Sequence, residues 1–158
     1  MQRIFAVVAA SLVFLVLPET LFAKEIHEYR GEADQYYADQ NFSKAFKVYK
    51  KAAKMGDHHS QGQLARMYAR GEGKRADMEE AYAWSTLAAE GGDEALKQQS
   101  KDLLAQVDDV ELAEKRAAKL MKRYGAEALE EKARKRATRL KNNERGGCTG
   151  SRMGCSGG

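Results

Sequence analysis

The chain has 158 residues, with 27 Lys and Arg against 23 Asp and Glu, a formal net charge of +4 and 8% aromatic side chains. A single proline, the lack of sustained apolar–polar alternation and the prevalence of Ala, Leu, Lys, Arg and Glu exclude a sheet protein and leave an all-α one. This length holds one small domain but not two independent cores.

The chain opens MQRIFAVVAASLVFLVLPETLFA, with Arg3 ahead of an apolar run from Ile4 to Leu17, then Pro18 and Ala23. A basic start, a short apolar stretch and a small residue after a breaker read as a secretory signal, too short to span a bilayer comfortably. Residues 1–23 are therefore expected to be a cleaved signal peptide, with the mature chain starting at Lys24 and residing in the periplasm or secreted.

The first helix is expected from about Lys24 to Tyr37, with Ala38–Asn41 handing over to a second that ends near Met55–Gly56. Asn41 can cap the second helix, and Gly56 can take the left-handed conformation that ends it. A third helix is expected from about His59 to Ala69. Gly71 and Gly73 then bracket Glu72 in a turn requiring positive φ. Asp77 is the cap of the fourth helix, with Glu80 as the reciprocal carboxylate of a capping box, and Gly91–Gly92 is its stop. The fifth helix starts at Asp93 and carries Ala95, Leu96, Leu103 and Leu104.

From Asp109 onward the pattern is one long helix or two joined near Gly125. Val110, Leu112, Ala113, Ala117, Leu120, Met121 and Tyr124 form an apolar face suited to covering the preceding helices. Beyond Gly125 that face thins, and after Arg145 the sequence is glycine-rich. The expected divisions are a helical-repeat domain over 24–124, a basic helical extension over 125–145 and a flexible Gly/Cys tail over 146–158.

A 36-residue offset carries Ala45, Ala52, Ala53, Gly56 and Asp57 onto Ala81, Ala88, Ala89, Gly92 and Asp93. Such an offset marks stacked helical repeats, since one helix pair cannot bury its own apolar face. The segment QGQLARMYARGEGKRADMEEAYAWSTLAAEGG closely resembles the Sel-one-like repeat, a relative of the tetratricopeptide repeat, through Leu64, Tyr68, Gly71, Gly73, Asp77, Ala81, Trp84, Ala88, Ala89 and Gly92. The stretch before it resembles the same unit with a shortened loop, and the stretch after it a degenerate half-repeat with a covering helix.

The resemblance implies a short right-handed solenoid of antiparallel helix pairs whose concave face binds a protein or peptide, often as an adaptor in envelope assemblies, without catalysis or cofactor. Tyr29, Tyr36, Tyr37, Tyr68 and Tyr82 are candidate anchors there, although tyrosines of repeat helices also fill the core. The alternative is a small envelope stress or assembly factor acting through the basic C-terminal arm and the Cys-containing tail.

The residues themselves point away from catalysis. His58 and His59 have no third ligand at a metal-site spacing, and no nucleophile motif is present. Charge is uneven: residues 24–110 carry 13 basic and 16 acidic side chains, a net of −3, whereas residues 111–145 carry 12 basic and 6 acidic, a net of +6. Lys132, Arg134, Lys135, Arg136, Arg139 and Lys141 form a basic patch that is either a plain solvated face or a contact for an anionic surface or partner. Export and the lack of interleaved aromatics argue against nucleic acid. Cys148 and Cys155 can form a disulfide in an oxidising compartment, with free or intermolecular thiols and metal or redox use as the other readings.

Overall fold

Each helix from the second to the sixth begins at an Asn or Asp whose side chain accepts an amide hydrogen from the first turn. The computed structural model describes residues 22–146, in which seven helices follow one another: α1 (22–38), α2 (Phe42–Lys54), α3 (His58–Arg70), α4 (Met78–Ala89), α5 (Glu94–Leu104), α6 (Val110–Tyr124) and α7 (Ala126–Gly146). Asn41 accepts from Lys44 N at 3.4 Å, Asp57 from Ser60 N at 2.9 Å and Asp77 from Glu80 N at 2.9 Å. Asp93 accepts from Ala95 N and Leu96 N, and Asp109 from Leu112 N. Asn41 and Asp77, like Asp57 and Asp93, are separated by 36 residues, so the punctuation obeys the same offset as the alanines. These caps satisfy amides that would otherwise lack partners at a helix start.

The reciprocal half of the capping box at α4 does not form. The Asp77 amide donates to Tyr68 O at 3.0 Å, and the Glu80 carboxylate instead accepts from the Trp84 indole N–H at 3.2 Å and lies 3.6 Å from Arg116 Nη1. The Asp77 amide is thus taken by the preceding helix, and the Glu80 carboxylate by Trp84 one turn further along α4 and by Arg116 of α6.

The helices pair as a short solenoid, with α4 at its centre against α3, α5 and α6. Ala81, Ala83, Trp84, Ser85, Leu87 and Ala88 of α4 are all buried, as expected of a helix wrapped on every side. Ala45, Ala52 and Ala53 of α2 and Leu64, Met67 and Tyr68 of α3 complete the centre of the core. Phe46 meets Tyr68 edge to face, with centroids 5.1 Å apart. Gly62 lets α5 approach α3, since a Cβ there would lie 2.6 Å from Leu96 Cδ2.

The covering helix α6 lies against α4 through buried Ala113 and Ala117, with Leu120, Met121 and Tyr124 against the core. Val110 and Leu112 were expected on this face but are exposed. Val110 is the first helical residue, ahead of the buried stripe, and Leu112 is turned about 100° from its neighbour Ala113. Helix α7 departs after Gly125. Its Leu129 reaches Gly56, and every residue from Glu130 to Asn143 is exposed. No helix among the described residues is long and apolar enough to cross a membrane. Residues 1–21, most of the segment expected to be a signal peptide, and the Cys148/Cys155 pair lie outside the described residues.

Candidate functional site: a groove between α3 and α5

The antiparallel pairing turns the outer faces of α3 and α5 toward a common opening of about 990 Å³. Its floor is apolar, built from Ala69, Met78, Leu96 and Leu103, while His59, Arg66, Arg70, Gln98 and Asp102 stand around it. Gln99 Nε2 donates to Gly62 O at 2.9 Å, which fixes the one place where the two helices close on each other. At the α1 side, His59 Nε2 is 3.4 Å from Asp34 Oδ1, and Asp34 also accepts from the Tyr49 hydroxyl at 2.6 Å. Burial and that hydrogen bond both raise the Tyr49 pKa, so the phenol stays protonated. An apolar floor with a polar, two-signed rim is suited to holding a peptide segment, with donors and acceptors to fix its register.

Two carboxylates hold the helices that frame this opening. Asp57, 5% exposed, accepts from Nε and Nη2 of Arg30 of α1 and from the Ser60 hydroxyl. Burial alone would raise its pKa, but the Arg30 and Ser60 hydrogen bonds outweigh it and keep the carboxyl below the ordinary range. Asp77 takes both its oxygens to Arg116 Nη1 at 2.7 Å, tying α6 to the cap of α4, and its pKa is lowered by Arg116 and the Glu80 amide despite partial burial. A depressed carboxylate contributes stability that is complete above its unfolded value, here 3.8, and lost as pH falls through its folded value. Thermal stability is therefore expected to be flat near neutrality and to drop as pH goes below about 4. Asp57→Asn should start lower and show a shallower acid drop in a series of calorimetric melts. An unchanged acid slope would remove Asp57 from that role.

The residues singled out in the sequence divide between scaffold and surface. Ala45, Ala52, Ala53, Leu64, Tyr68, Ala81, Trp84 and Ala88 are buried, and Ala89 is partly so. Gly56, Gly71, Gly73 and Gly92 have positive φ. None of the five candidate tyrosine anchors lines the groove. Tyr68 is buried, with its pKa pushed up to about 12 by burial and by Glu80 and Asp77. Tyr29, Tyr36, Tyr37 and Tyr82 are half-buried against the core. His58 holds Gln61 through Nδ1 at 3.1 Å and lies over Gly91. Lys132, Arg134, Lys135, Arg136, Arg139 and Lys141 are exposed along α7.

Sequence reading missed the rim residues themselves. The available signal was positional: His59, Arg66 and Arg70 recur on the one face of α3 that also carries Gly62 and Gln63.

No protein-family profile and no curated protein sequence matches the chain. Among solved structures, the fold is similar to that of a protective antigen present in uropathogenic Escherichia coli strains, described as displaying an SLR fold, the Sel-one-like repeat fold. The TM-score is 0.52 at 19% sequence identity, and the match covers 74% of this chain and 23% of that one. The chain thus spans about a quarter of the length of the protein it matches and has the SLR fold, an all-helical solenoid.

Proposed function

We propose that this chain is a non-catalytic protein-binding module of the bacterial cell envelope, in which the α3–α5 groove holds a segment of a partner protein. The observation that carries this reading is the open groove, apolar at its floor and polar at its rim, on a fold of the SLR type. Repeat solenoids use their concave surfaces in this way because stacked units present a continuous face that no single unit has. The envelope setting rests on the signal-like pattern of residues 1–23. The exposed basic patch of α7 adds electrostatic attraction to an acidic partner or an anionic surface.

Pull-down from an envelope extract with the chain from Lys24, compared with the same chain lacking residues 126–158 and with Arg66→Glu, tests the reading. Recovery of the partner is expected to survive the truncation and to fall about tenfold in the groove variant, as for loss of a central contact. Loss of the partner with the truncation and none with Arg66→Glu would instead favour a factor acting through the basic arm and the Cys148/Cys155 tail. Absence of any partner for every form would overturn the adaptor reading.

A further inference from the structure

Although residues 24–110 carry a net negative charge, their cations are not spread evenly. Lys47, Lys50, Lys51 and Lys54 recur at helical spacing on the outer side of α2, and with Phe46 and Gly73 they line a shallow cleft of about 510 Å³. Lys74, just beyond the cleft, places its ammonium 6.0 Å from the Phe46 ring centroid, and Lys50 places its own at 5.6 Å. Lys54 continues the row to Tyr124, whose ring it shares with Lys132 at the root of α7, at 6.0 and 5.3 Å. From Lys132, helical register puts Lys135, Arg136 and Arg139 on the same face of α7.

The ammonium groups of Lys50, Lys51, Lys54, Lys74 and Lys132 rest on aromatic rings rather than on carboxylates. None of Lys47, Lys50, Lys51, Lys54 and Lys74 lies within 4.0 Å of an acidic oxygen among the described residues. Glu80, whose field reaches Lys50, is already engaged by Trp84 and Arg116. Burial is the main cause that lowers the Lys50 pKa, and the nearby Lys74 and Lys54 add to it.

Position adds a second argument. The α1 and α2 helices run antiparallel, and Lys51 sits 5.3 Å over the ring of Tyr29, so the lysine row ends beside the first turns of α1. Only Pro18–Leu21 separate those turns from the apolar run Ile4–Leu17. The lysine row therefore reaches the end of the fold at which α1 begins, next in sequence to the apolar run.

We infer that the outer face of α2, extended by Lys74 and Lys132, docks the domain on an anionic phospholipid surface, leaving the α3–α5 groove for its protein partner. A row of lysines on an exposed face, without bidentate arginine pairs or an enclosed cavity, suits a field of phosphate headgroups better than one oriented ligand. Each lysine near such a surface contributes about a fivefold gain in binding, screened by salt.

Co-sedimentation with vesicles of phosphatidylcholine alone, or with about one third phosphatidylglycerol, tests this on the chain from Lys24. Binding is expected only to the anionic vesicles and to weaken with added salt. Changing Lys47, Lys50, Lys54 and Lys74 together to Gln should weaken it about 600-fold, and the exposed pair Lys47→Gln with Lys54→Gln alone about 25-fold, which covers a folding failure of the larger set. A charge-matched variant with Lys97, Lys101, Lys115 and Lys119 changed to Gln should retain binding. Equal loss in both sets, or no binding to anionic vesicles, overturns the inference. Tight binding to polyglutamate without binding to vesicles overturns it too, and assigns the face to an acidic protein.

Discussion

Trp84→Ala is expected to lower the unfolding free energy by about 3–5 kcal/mol, a large share of the stability of a domain this small. Trp84 is 1% exposed in the middle of α4, where α3, α5 and α6 converge. Its ring stacks on Tyr124 of the covering helix, with centroids 6.1 Å apart and planes 18° from parallel, and its N–H is used by Glu80. Truncation would open a cavity and at the same time free the Glu80 carboxylate and the Tyr124 ring. The α6 cover should loosen first, visible as faster hydrogen exchange in 110–124 than in α2 or α3. Since Trp84 is the only tryptophan, the melt is followed by circular dichroism. A loss below about 1 kcal/mol would mean that α6 is held by Arg116 and the small residues alone.

Gly73→Ala is the second large effect, at about 3 kcal/mol. The residue has φ +73, where an L side chain is strained, and a Cβ would lie 2.3 Å from the Phe42 carbonyl oxygen and 2.7 Å from its carbon. Those are backbone atoms at the start of α2, so relief requires moving one repeat relative to the next. The turn is fastened from the other side as well, because the Tyr37 hydroxyl donates to Glu72 at 2.9 Å. Gly71 supplies the control. Its φ of +72 is nearly the same, but the nearest atom to its Cβ would be 3.4 Å away, so Gly71→Ala should cost only the conformational part, about 1 kcal/mol. Denaturant titrations of the two variants separate strain from clash, and equal losses would show that the close approach to Phe42 is relieved at no cost.

The two variants also show where the offset between repeats acquires its meaning. In sequence, Gly71 and Gly73 are equivalent members of a Gly-x-Gly turn. Only the stacking of that turn on α2 makes one of them irreplaceable by alanine. The lysines of α2 show the same limit, since a net charge of −3 over residues 24–110 conceals a face on which Lys47, Lys50, Lys51 and Lys54 form no ion pair among the described residues. Summed charge has no direction, whereas a helix sorts charges by angle. The tyrosines illustrate it a third time: their amphipathic character fits both a binding face and a core edge, and contact with neighbouring helices put them at the latter.

Whatever near neighbours along the chain carry was legible in the amino-acid order. The helices follow from propensity and apolar spacing, their starts from Asn41, Asp57, Asp77, Asp93 and Asp109, and the stops of α2, α3 and α4 from Gly56, Gly71 and Gly92 at positive φ. Each of these depends on atoms a few residues apart, so the amino-acid order suffices to specify them. The 36-residue offset then implied stacking, because identical amphipathic units have only one another to bury against. The tertiary structure decided the rest through groups about one repeat apart in the chain: Arg30 with Asp57, Tyr37 with Glu72, Gln99 with Gly62 and Arg116 with Asp77. These partners carry no shared motif, and each is chosen by the angle at which one helix pair lies on the next. That angle sets the width of the α3–α5 groove, brings Arg116 to Asp77 and Glu80, and brings Lys54 and Lys132 to a single ring.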